Sequence, residues 1–126
     1  MQSIAPWTIS RVPGGAPGRS SGTAFGPFVW SVATAGGCGV DIGEQTQLTL
    51  KELDRLLAES GTSKDKLLSV FVYLADLDHK TVFDEIWAAW IGPNPEHWPQ
   101  RACVGASLAN GTLVELVAIA ARDLPS

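Results

Sequence analysis

Charge is what this sequence has little of. Its 126 residues include 9 Lys and Arg and 13 Asp and Glu, so only 17% are charged and the net charge is −4, where a soluble domain ordinarily carries about 25% charged residues. A phosphate-tracking protein gathers a basic stripe, and this balance disfavours a nucleic-acid partner. Cysteine and histidine are also scarce. Cys38, Cys103, His79 and His97 form no CxxC and no paired ligand spacing, which argues against a disulfide framework and a zinc site. No apolar run approaches the ~20 residues of a membrane-spanning helix. Met1 to Trp7 has neither a basic region nor a continuous apolar core, so it does not read as a secretory signal. The expectation is a cytoplasmic chain with free thiols.

Apolar residues are plentiful, at 45%. A chain of this length forms one core, so a single domain over 1–126 is expected. So little charge on so small a domain implies apolar surface hidden in an oligomer. Trp7 to Val12 alternates as a half-buried strand, and the Gly-, Pro- and Ser-rich stretch from Pro13 to Pro27 reads as a loop; together they make an N-terminal region, 1–27. A second strand is expected at Phe28 to Ala33, ended by a Gly36-Gly37-Cys38-Gly39 turn. That glycine cluster lacks the GxGxxG and Walker patterns and reads as an ordinary loop.

Leu50, Leu53, Leu56 and Leu57 then recur at helical spacing within Ile42 to Glu59, and Gly61 suits a C-terminal cap. Leu67 to Ala75 is a nearly continuous apolar run, as in a strand buried on both faces. A second helix, capped by Asp78, places Phe83, Ile86, Trp87 and Trp90 on one stripe and ends at Gly92, Pro93 and Pro95. Arg101 to Leu108 and Leu113 to Arg122 read as a hairpin around Asn110-Gly111. The expected order is ββαβαββ, an α+β fold with a mixed or antiparallel sheet and two helices on one face. Phe71, Tyr73, Val117 and Ile119 are too apolar for an uncovered second face, which again asks for a partner subunit.

Glu115 is the lone carboxylate in an apolar row with Leu113, Val117 and Ile119. Burying it calls for a raised pKa or a nearby cation, which suits a general acid/base or a register-setting ion pair. Arg101 is the natural partner. A three-residue hairpin loop puts Arg101, Cys103 and Glu115 on one face, whereas a two-residue loop separates them and leaves Arg101 in a strand-end salt bridge. On the first register a guanidinium fork for a carboxylate lies beside a proton-transfer group. Neither histidine is obviously placed to activate Cys103, so it reads as a pocket-lining thiol. Cys38 reads as an incidental thiol. Trp30, Trp87 and Trp90 read mostly as core, and Trp98, near Arg101, is considered for a site wall.

Pro99-Gln100-Arg101-Ala102-Cys103-Val104 together with the terminal Val114-Glu115-Leu116-Val117-Ala118-Ile119-Ala120 resembles the RidA/YjgF/YER057c/UK114 (Rid) family. Glu44-Gln45-Thr46, Val70 to Asp76 and the Trp-Ala-Ala-Trp helix add to the likeness, which spans 28–122 and looks more like the bacterial YoaB-like branch than archetypal RidA. The resemblance implies a chorismate-mutase-like fold assembled as a homotrimer, with sheets forming a central barrel and a cleft at each subunit boundary. It implies hydrolysis of reactive 2-imino or 2-enamino acids, released by pyridoxal-phosphate enzymes, to 2-keto acids and ammonia, without metal or cofactor. It assigns Arg101 to the substrate carboxylate, Glu115 to the attacking water, and Cys103 and Ser31 to the cleft. Two cleft positions depart from the pattern. Arg19 stands where an aromatic residue is usual, either as a second anion contact or as a surface arginine, and Val32 replaces a glycine. The alternatives to a deaminase are a non-catalytic binder or regulator of small carboxylates, a specialised pathway enzyme in the same cleft, and a ribonuclease, which the acidic balance disfavours.

Overall fold

A computed structural model of the chain describes residues 7–37 and 41–124. Residues 38–40, with Cys38 and the second half of its glycine turn, and the stretch Met1 to Pro6 lie outside the described residues. Six strands and two helices follow in the order β1 Ser10–Pro13, β2 Ser20–Phe25, β3 Phe28–Thr34, α1 Ile42–Glu59, β4 Leu67–Leu74, α2 Lys80–Ile91, β5 Gln100–Gly105 and β6 Val114–Ala121. The class is the expected α+β, with one strand more. The chain between Pro13 and Pro27 is not all loop, because Ser20–Phe25 pairs antiparallel with both β1 and β3. Its Gly22 lies where a Cβ would meet Val12 Cγ2 at 3.2 Å. The small residues that resemble a loop are what lets β1 pack here. Gly26, at φ 59°, turns the chain from Phe25 to its partner Phe28, as a two-residue hairpin requires. Trp7 lies outside β1 and is exposed.

α1 forms because its leucines share one face. Leu50, Leu53, Leu56 and Leu57 are all buried, each contributing roughly 1.5–3 kcal/mol of transfer free energy. Asp41 Oδ1 accepts from Glu44 N at 2.8 Å at the start. At the end, Thr62 N donates to Leu57 O at 2.9 Å and Gly61 N to Ala58 O at 3.1 Å, with Gly61 at φ 82°. These paired bonds are the Schellman arrangement, which needs a left-handed residue at this point.

α2 buries Phe83, Trp87 and Ile91, with Ile86 and Trp90 packed partly against the core. Its cap differs from expectation. Asp76 accepts from Asp78 N at 2.9 Å and caps a single 3-10 turn over Leu77–His79, which runs into α2. Asp78 supplies the backbone donor rather than the cap.

The sheet order is β1-β2-β3-β6-β4-β5. The expected hairpin of the last two strands does not form: β6 lies between β3 and β4, antiparallel to both, and β5 lies parallel to β4 at the edge. A helix between two strands brings the second back parallel to the first, and α2 does this for β4 and β5. Val29, Ala33, Val70, Val72, Leu74, Leu116, Ala118 and Ala120 face the helices and are buried. The other face carries Phe28, Trp30, Val32, Phe71 and Val104, all exposed, and among the described residues nothing covers it. β4 is therefore buried on one face only within a single chain, with Phe71 45% exposed, and Trp30 is a surface residue of the open face rather than core.

Candidate functional site

Residues directly opposite one another in neighbouring strands project from the same face of a sheet. Arg101 pairs with Val70 and Cys103 with Val72, so both project toward the helices. Glu115 pairs with Tyr73 and with Thr34, on the open face. The expectation that Arg101, Cys103 and Glu115 share a face fails, because β6 is not the partner of β5 and neither hairpin register exists. Within one chain Arg101 and Glu115 line different cavities, and Cys103 lines neither of them.

The first cavity, about 340 Å³, lies between α2 and the segment that follows it, lined by Asp84, Trp87, Ala88, Ile91, Trp98 and Arg101, with Gly92 and Pro99. Arg101 Nη2 donates to Asp84 Oδ1 at 2.6 Å, and the guanidinium carbon lies 5.4 Å from the ring centroids of both Phe83 and Trp87. Packing on the rings fixes the fork while Asp84 holds one of its nitrogens. The Nε and Nη1 groups have no hydrogen-bond partner among the described residues. Asp84 also accepts from Lys80 Nζ at 2.6 Å. Burial raises the Asp84 pKa, but the hydrogen bonds from Lys80 and Arg101 and their positive charges outweigh it and hold the carboxyl below its usual value.

Trp98 walls this cavity, as considered from sequence, with its Nε1 donating to Gly92 O at 2.9 Å. Cys103 packs partly against the core. Burial pushes its thiol pKa up, against the opposing charges of Arg101 and Lys80. A protonated thiol is a poor nucleophile.

The second cavity, about 800 Å³, is lined by Arg19, Ser20, Ser21, Val32, Thr34 and Glu115, among others. Glu115 is half-buried and makes no ion pair among the described residues. Arg19, at the mouth of β2, is the cation that shares its cavity. Ser31 joins neither group: it is 2% exposed, projects to the helix side opposite Gly22 and Ala118, and its Oγ has no partner among the described residues. It lines a smaller cavity of about 110 Å³ with Ser20, Ser21 and Trp30. Asp84 is the site residue that sequence reasoning missed. Its signal is a carboxylate next to the buried Phe83, in a chain where a partly buried arginine must find one of few acids.

Residues 30–122 match the family described as Endoribonuclease L-PSP, and curated relatives carry the RutC family name. The chain belongs to the RutC/YjgF family. A RutC family protein of Haemophilus ducreyi is 42% identical over 82 residues, covering 64% of this chain and 68% of that one. The RutC family protein YoaB of Escherichia coli is 34% identical over 70 residues, covering 56% of this chain and 60% of its own length. A solved YjgF-family structure from Neisseria meningitidis superposes with a TM-score of 0.84 at 29% identity, covering 95% of this chain and 99% of that one. Among the described residues no helix is long and apolar enough to cross a membrane.

Proposed function

We propose that the protein is a cofactor-free hydrolytic deaminase of 2-imino or 2-enamino acids, acting in the cytoplasm as a homotrimer. The observation that carries this reading is the division of the site. A ring-packed guanidinium with unengaged N–H groups lies on one side of the sheet. A carboxylate without an ion-pair partner among the described residues lines a roomy cavity on the other. The open face beside that carboxylate is apolar and uncovered among the described residues. Packing such faces against one another buries them, and it lets the edge strand of one copy meet the Glu115 cavity of the next.

In such a cleft Arg101 grips the substrate carboxylate through the fork and sets the position of C2. Glu115 accepts a proton from a water aimed at C2. The water oxygen bonds to C2 as the C=N π electrons move to nitrogen, and the proton passes to that nitrogen. Glu115 then carries the hydroxyl proton of the resulting carbinolamine to the same nitrogen, and collapse forms C=O, breaks C–N and releases ammonia, leaving a 2-keto acid. An imine carbon is already electrophilic, so positioning and one proton carrier suffice. Cys103 lines the cleft as a thiol, and the reducing cytoplasm keeps it so.

The family description names an endoribonuclease, but a net charge of −4 suits a small carboxylate better than a polyphosphate chain. The test generates 2-iminopropionate in situ with an amino-acid oxidase and follows loss of trapped imine. Acceleration over buffer that disappears in Arg101→Ala supports the deaminase. No acceleration, with 2-keto acid binding retained, makes the protein a carboxylate binder instead.

A further inference from the structure

The cavity beside Arg101 is larger and more apolar than a carboxylate needs. Beyond the Asp84–Arg101 pair its walls are the rings of Trp87 and Trp98, the side chains of Ala88 and Ile91, Gly92 and Pro99. Its shape is built in. Gly92 takes φ 85° to end α2, and its carbonyl accepts from the Trp98 indole at 2.9 Å, which sets the exposed ring over the cavity. A volume of about 340 Å³ is at the lower end of small-molecule sites, enough for one ring and a short polar head. A methyl or ethyl side chain would leave most of that wall unfilled.

We propose that this cavity is the side-chain subsite of the Arg101 anion site, and that it selects 2-imino and 2-oxo acids with an aromatic or long branched apolar side chain. The proposal rests on Arg101 as carboxylate anchor, taken from the function proposed above. The carboxylate lies on the edge of the guanidinium that Asp84 leaves open, and the side chain lies between Trp87 and Trp98 along α2. Asp84, held by both Lys80 and Arg101, closes the polar end and disfavours a second carboxylate on the side chain by like-charge repulsion.

The test uses the full chain and two probes, pyruvate and phenylpyruvate, titrated by calorimetry. Phenylpyruvate is expected to bind at least about tenfold more tightly, because it buries a ring that pyruvate lacks. Ala88→Trp, at an exposed helix position whose larger side chain fills the cavity, should bring the ratio of affinities to within about threefold. Trp98→Ala, which removes a wall, should lower the same ratio and serves if the first variant fails to fold. Reading a ratio makes the result independent of the active fraction. Equal affinities in the parent chain, or an unchanged ratio in the folded variant, overturn the subsite. Imine turnover is scored separately. Preference without turnover ends the deaminase reading and keeps the subsite, and turnover without preference does the reverse.

Discussion

Arg101 and Glu115 stand on opposite faces of one sheet, Arg101 opposite Val70 on the helix side and Glu115 opposite Tyr73 on the open side. If both act on one substrate, they come from different copies of the chain. Arg101→Ala and Glu115→Ala are each expected to lose deaminase activity, by about 100-fold or more for Arg101. Mixing the two variants under conditions that exchange subunits should restore it. In a randomly mixed trimer about a quarter of the boundaries pair an intact arginine with an intact glutamate. Recovery approaching that fraction supports a shared site, and no recovery after demonstrated exchange rejects it.

Asp84 gives a pH signature. Its folded-state pKa lies below the usual carboxylate value, because the bonds from Lys80 and Arg101 overcome the effect of burial. Stability from a depressed carboxylate is fully present above the unfolded value of about 3.9 and is lost as pH falls through the lower folded value. Asp84→Asn should therefore lower the melting temperature by a few degrees at pH 7. The gap from the parent chain should persist down to about pH 4 and close as pH falls further. A pH-independent gap in a thermal-melt series would assign the effect to packing instead of charge.

The helices and β4 were legible because their signal is local. Leucines at helical spacing mark Ile42–Glu59, and Leu67–Leu74 is a strand because of its own side chains. β2 was hidden because its buried positions, Gly22 and Ala24, are small for packing reasons that lie outside the strand. The pairing of β5 was hidden for a different reason. Ala109 to Thr112 is a true turn, with Thr112 N donating to Ala109 O at 2.9 Å and Gly111 at φ 82°. A turn reverses the chain without choosing its neighbour. That choice belongs to the α2 crossover and to β6 entering between β3 and β4, which are non-local. Arg101 and Glu115 were found as residue types, because scarce charges in apolar strands are conspicuous. Their relative placement needed the strand order.

Cys103 tests whether the site uses a nucleophile. Burial raises its thiol pKa more than Arg101 and Lys80 lower it, so at neutral pH the thiolate is scarce. In a Cys38→Ser background, Cys103 should react with a thiol-directed reagent more slowly than free cysteine at pH 7.5. Cys103→Ser should keep imine turnover within about threefold of the parent. A loss of 100-fold or more, with the fold intact by circular dichroism, would make the thiol part of the chemistry.

The open face makes the last prediction. Phe71 is 45% exposed and stacks on Tyr73 at 6.4 Å between ring centroids, in the strand next to Glu115. A ring this exposed contributes little to the fold of a single chain, so Phe71→Lys should cost the isolated subunit less than about 1 kcal/mol. Across a subunit boundary the same change buries a charge without a partner, which costs several kcal/mol per copy. Light scattering should give the parent about three times the chain mass and Phe71→Lys the mass of a single chain, with the helical signal of α1 and α2 unchanged. Deaminase activity should fall with assembly, because each dissociated copy keeps only half a cleft. A parent protein that runs as a single chain at micromolar concentration removes the shared cleft and leaves each cavity to be explained alone.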